Sequence, residues 1–211
     1  MADDSFAPLR SFDAFSPRGL LGKREYVEDL EKRGDPEAAA LLVACLADES
    51  GYLRDLAESA LVRLAAEPKP IVPLLASGLW YTKVSAARTL GRLGARATLA
   101  AAPLATLLDD TNQSVRRAGT DALGFIARGG GELAVARALH ARHDPDRARL
   151  REVAAGDRTL EARLDELLKN REAMEANEDE LLSHDAAVVR ASADGVEWGV
   201  LTGPRSGSGV R

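Results

Sequence analysis

The chain aligns with itself three times between Asp35 and Arg128, and this self-similarity limits its fold more than any other feature. Leu61, Leu90 and Leu123 are equivalent positions in the segments SALVRLA, RTLGRLG and DALGFIA, 29 and then 33 residues apart. Three residues after each comes Leu64, Leu93 or Ile126, and fifteen before comes Leu46, Leu75 or Leu108. Nineteen before comes Leu42, Ile71 or Leu104. Seven before, the residue is always basic: Arg54, Lys83 or Arg116. Each unit is too short to bury its apolar face alone, so the copies must stack and share a core.

Each unit divides into two helical patterns. First helices are predicted over 36–47, 70–79 and 99–108, and second helices over 53–65, 83–93 and 114–127. Between them lie DESGY, WYT and DDTNQ, which are long enough only for the turn of an antiparallel hairpin. Asp48 and Asp110 fall where a carboxylate ends one helix or caps the next, and the second unit has Ser77 there.

The third copy, LATLLDDTNQSVRRAGTDALGFIA, resembles a HEAT repeat of the kind also found in phycobilisome-lyase-type proteins. The resemblance rests on Asp110, Val115, Arg116, Ala118, Ala122, Leu123 and Gly124. The first copy keeps Asp48, Leu53, Arg54, Ala60 and Leu61 but has Val62 in place of the glycine; the second keeps Lys83, Leu90 and Gly91. The resemblance implies an all-α solenoid of stacked helical hairpins. It also implies an Asp–Arg ladder between successive units, a structural use for Arg54 and Arg116. For function it implies a protein-binding scaffold without chemistry of its own and leaves open a HEAT-like lyase or lyase-chaperone subunit, while the basic segment 82–128 leaves open a nucleic-acid-binding module.

Around the repeats we expect an N-terminal arm over 1–22, a capping helix over 23–34 ended by Gly34, and three repeats over 35–128. A degenerate fourth repeat and a C-terminal capping helix are expected over 132–176, the helix running 158–176 with Leu160, Leu164, Leu167, Leu168 and Met174 as its apolar stripe. The segment 177–211 reads as an acidic then Gly/Ser-rich tail, disordered or holding a small β-hairpin about Asp194-Gly195.

Composition fits this picture. Hydrophobic residues make up 45% of the chain but aromatic ones only 4%, so its core is built from Leu, Ala and Val, which favours packed helices over sheets. A net charge of -5 argues against a chain that mainly coats nucleic acid or an anionic membrane. No apolar run has the length of a signal peptide core or a membrane span, and the expected location is the cytoplasm. The single cysteine, Cys45, excludes an intrachain disulfide and sits among Leu41, Leu42 and Leu46 as a core residue.

Partner contact is expected from Trp80, Tyr81, Lys83, Arg88, Arg92, Arg116 and Arg117. Residues 82–128 hold seven basic against three acidic side chains, which suits the acidic surface of another protein. Trp80 and Tyr81 are adjacent large aromatics in a chain poor in them, a hot-spot composition as well as a packing one. The acidic stretch 172–185 is expected to compete for the basic side at low salt. His140 and His143 lie three apart, a spacing compatible with metal ligation, but no second cluster supplies further ligands. No catalytic residue, metal or cofactor is predicted, since no phosphate loop, dinucleotide fingerprint or nucleophile elbow is present.

Overall fold

The computed structural model describes residues 17–140 and 147–170, and every regular element among them is helical. The first helix, α1, spans Pro17–Arg33. It begins six residues earlier than the predicted capping helix, so the end of the expected arm belongs to it. Proline is well suited to a first helical turn, where its fixed φ is already helical and its missing N–H had no partner to lose. Gly34 ends the helix at φ +60°, with its N–H bonded to the Leu30 carbonyl at 3.1 Å.

The first repeat is α2, Pro36–Cys45, followed by α3, Gly51–Arg63. Asp35 caps α2 by accepting the Ala38 N–H at 2.7 Å. In the second repeat the predicted first helix over 70–79 shrinks to a five-residue 3₁₀ segment, Val72–Ala76. Pro68, Pro70 and Pro73 explain the loss, since each removes a backbone donor that a longer α-helix would use. Its second helix, α4, spans Trp80–Leu93. The segment WYT is therefore the first turn of a helix and not the inter-helix turn, which is Ser77-Gly78-Leu79.

The third repeat opens with 3₁₀ turns over Gly94–Ala100, a short α5 over Ala101–Thr106 and a further 3₁₀ turn over Leu107–Asp109. Its second helix, α6, spans Gln113–Ile126. A π turn over Ala127–Gly131 leads into α7, Glu132–His140. The chain continues as α8, Arg147–Ala154, and α9, Arg158–Lys169. The last helix thus stops at Lys169, short of the predicted 176. Met174, His143, residues 1–16, the acidic stretch 172–185 and the proposed hairpin with Trp198 lie outside the described residues.

The equivalent positions of the alignment are the core. Leu61, Leu90 and Leu123 are fully buried, as are Leu42, Ile71 and Leu104, one pair in each repeat. Burying such a side chain stabilises the fold by roughly 1.5–3 kcal/mol. The second helices stack in the order α3, α4, α6, α8. Close approach is set by the glycine after the anchor leucine. A Cβ on Gly91 would lie 2.8 Å from the Ala122 Cα, and one on Gly124 would lie 2.5 Å from the Val153 carbonyl oxygen. At one end α1 covers α2 and α3 with Val27 and Leu30; at the other α9 covers α7 and α8 with Leu160 and Leu164. No helix among the described residues is long and apolar enough to cross a membrane.

Candidate functional site

The turns inside the hairpins are built alike. In the first repeat the Asp48 carboxylate accepts the Ser50 N–H at 2.7 Å, and Arg54 Nη1 donates to the carbonyls of Asp48 and Glu49 at 2.6 and 3.0 Å. In the third, Asp110 accepts the Asn112 N–H at 2.8 Å, and Arg116 Nη1 donates to the carbonyls of Asp110 and Thr111 at 2.8 and 3.0 Å. The aspartates therefore shape the turn two residues ahead of the caps, which are Ser50 and Asn112. In the second repeat Ser77 Oγ takes the same place, accepting the Leu79 N–H at 3.2 Å.

This arrangement corrects the ladder implied for Arg54 and Arg116, because each arginine serves the turn of its own repeat. Between the second and third repeats it is Lys83 that meets a carboxylate. Its Nζ lies 2.7 Å from Asp110 Oδ2, with the two side chains 22% and 14% exposed. Lys83 and the Asn112 N–H hold the Asp110 carboxyl below the usual carboxylate range. Where the second repeat lacks the aspartate, Arg54 instead stands over the Tyr81 ring, 4.6 Å from its centroid. Of the residues expected to meet a partner, Lys83, Arg116 and Tyr81 are thus engaged within the stack. Trp80 is 51% exposed and packs edge-on against Tyr81, ring centroids 5.9 Å apart.

Arg88, Arg92 and Arg117 come together elsewhere. Along each second helix, residues at intervals of four fall on one stripe: Asp55, Ser59 and Arg63 on α3; Val84, Arg88 and Arg92 on α4; Arg117, Asp121 and Phe125 on α6. The α4 and α6 stripes, with Glu58 from α3, line an open groove of about 920 Å³. Buried Val84, Ala118 and Ala122 form its apolar floor, and Phe125, 50% exposed, stands at the side with Arg128 5.0 Å from its ring centroid. The arginines are loosely held. Arg88 is 3.8 Å from Asp55, Arg117 is 3.9 Å from Asp121, and Arg92 Nη1 is 3.5 Å from Ser59 Oγ, all on exposed side chains.

One acid also lines the groove. Glu58 is only 4% exposed, and its Oε1 is buried with no hydrogen-bond partner among the described residues. Burial pushes its carboxyl up, while the Ser85 hydroxyl bonded to it and the Arg88 and Arg92 charges oppose that shift less strongly.

Repeating hairpins, stacked second helices and shared Leu positions are the geometry of a helical repeat family, and residues 68–156 match the family model described as HEAT repeats. This span is made of HEAT repeats. The matched span takes in the second and third repeats and the fourth unit, including most of the groove. The first HEAT-like repeat, before residue 68, has the same arginine-to-turn bonds as the third. Comparison of the whole sequence with curated proteins found no significant match.

Sequence reasoning missed Glu58 and Phe125. Their signal is the register of the second helices: Phe125 is four residues beyond Asp121 and eight beyond Arg117, on the same stripe. Glu58 occupies the position three before the anchor leucine, where the other HEAT repeats have Ala87 and Thr120. Cys45 is buried in the core, and its thiol is pushed up to about 12 by burial and by Asp48, the opposite of an activated nucleophile. His140 ends α7, and among the described residues no cluster of three or more His, Cys, Asp or Glu could hold a metal.

Proposed function

We propose that this HEAT-repeat chain is a protein-binding scaffold whose contact surface is the groove across α3, α4 and α6. Its partner segment is acidic, with apolar side chains between its carboxylates. The observation that carries this reading is three exposed arginines, whose polar contacts among the described residues are long, 3.5–3.9 Å, beside an apolar floor and a half-exposed phenylalanine. A guanidinium receives a carboxylate through paired N–H donors, so such arginines recognise acidic side chains with a defined geometry. Exposed ion pairs contribute about 0–1 kcal/mol each, so affinity depends on an apolar anchor seated against Val84, Ala122 and Phe125. The groove lining carries three arginines against Asp121 and Glu58, a small positive excess.

The test is calorimetric titration of the full chain with a peptide of alternating Asp pairs and Leu-Phe pairs, beside the triple variant Arg88→Glu, Arg92→Glu, Arg117→Glu. Binding that weakens with added salt and falls at least roughly tenfold in the triple variant is the expected result. Equal affinity for both proteins would remove the groove from the account. Tighter, more steeply salt-dependent binding of duplex DNA than of the peptide would favour the nucleic-acid reading instead.

A further inference from the structure

Glu58 is the feature of the groove that simple charge complementarity leaves unexplained. It is an acid beneath a surface that otherwise suits acids, buried to 4% exposure, with one carboxylate oxygen meeting no donor among the described residues. The charged groups that act on it are Asp55 on its own helix and Arg88 and Arg92 on α4; Ser85, also on α4, supplies its hydrogen bond. Across the groove, α6 contributes Arg117 and Asp121 to the same lining. Arg88 and Arg92 thus have two uses. Their charges act on Glu58, and they are the cations a partner carboxylate would engage.

A carboxylate docked on Arg88 and Arg92 brings a second negative charge to the site and shares the field that favours an ionised Glu58. Two nearby carboxylates in a poorly solvated site do not both stay ionised when one can take a proton. We propose that Glu58 accepts a proton from solvent as an acidic segment docks, so that the groove captures its partner more tightly as the medium becomes more acidic. The proton passes from the buffer to a Glu58 carboxylate oxygen, leaving a neutral carboxyl under the arginines while the partner keeps its charge. Burial, which already favours the neutral form in the free protein, lowers the cost of this step. The proposal rests on the groove being the binding surface.

The same Asp-rich peptide is a suitable probe, because its side chains stay ionised above about pH 5. Titrations of the full chain at about pH 5.5, 6.5 and 7.5, each in two buffers with different heats of ionisation, give both affinity and proton uptake. The wild-type protein should take up a fraction of a proton and bind more tightly at the lower pH, by at most about tenfold per pH unit for one linked proton. Glu58→Gln, which keeps the shape but cannot ionise, should bind at pH 7.5 as tightly as the wild type does at low pH, with no uptake at this site. Ser85→Ala removes the hydrogen bond that favours the ionised form, so uptake should extend to higher pH. Identical uptake in the wild type and Glu58→Gln, with binding still dependent on the three arginines, overturns this inference and leaves the groove reading intact. Binding that ignores the arginines overturns the groove reading as well.

Discussion

Lys83 and Asp110 show how one exchanged residue reroutes a repeat. The second repeat has Ser77 where its neighbours have aspartate, so Arg54 has no carboxylate to meet there and stands over Tyr81, while Lys83 reaches forward to Asp110. The Asp110 carboxyl is held low by this contact, so its contribution to stability is present above the unfolded value near 3.9 and is lost as pH falls through the folded value. Lys83→Met should therefore cost about 1–2 kcal/mol at neutral pH. The cost should shrink under acid conditions, where Asp110 is protonated in both proteins. Thermal melts of the two proteins across that range check it, and a cost independent of pH would mean that Lys83 acts only through packing. The sequence placed Lys83 and Arg116 in one basic column with Arg54, and that column is real as a register. Its bonding was illegible because the alignment gives equivalent positions, not which neighbour each long side chain turns toward.

At the scale of elements, the second helices and the first helix of the first repeat were legible, and the first helices of the second and third repeats were not. Repeated apolar positions fix α3, α4 and α6 to within a few residues, and in α4 and α6 the glycine after the anchor leucine marks the same register. A full first helix in the second repeat would need backbone donors that Pro68, Pro70 and Pro73 lack, so this repeat carries Ile71 and Leu75, both buried, at and within a short 3₁₀ segment instead. A core position is preserved there although the expected element is not. The glycines carry the spacing of the stack. Gly124→Ala would force its methyl against the Val153 carbonyl at 2.5 Å, a backbone atom that side-chain repacking cannot move aside. It should destabilise the protein by about 1–3 kcal/mol, read as a lower midpoint in denaturant with an unchanged slope. An unaltered midpoint would show that α6 and α8 do not approach as closely as described. Val62, in the first repeat, marks an interface that needs no such glycine.

For the whole molecule, stacking converts three unremarkable helix faces into one surface. Residues 33 apart in sequence, Ser59 and Arg92, approach within 3.5 Å, and Arg88 meets Asp55 across the same boundary. Three of the seven residues singled out in the sequence, Arg88, Arg92 and Arg117, meet in the groove, while Lys83, Tyr81 and Arg116 hold the repeats and their turns together. Charge alone could not separate these groups, because arginine serves turn, interface and surface equally well. The HEAT repeats supply a stacked array, and in the function proposed above the side chains on its second helices supply the selectivity. Photo-cross-linking in the native host tests the central claim most directly. A photoreactive benzoylphenylalanine at position 125, in the groove, should give a partner adduct that disappears when Arg88, Arg92 and Arg117 are changed to Glu. The same residue at position 40, exposed on α2, should give none. Adducts at 40 equal to those at 125, or adducts at 125 that survive the charge reversal, would contradict the account.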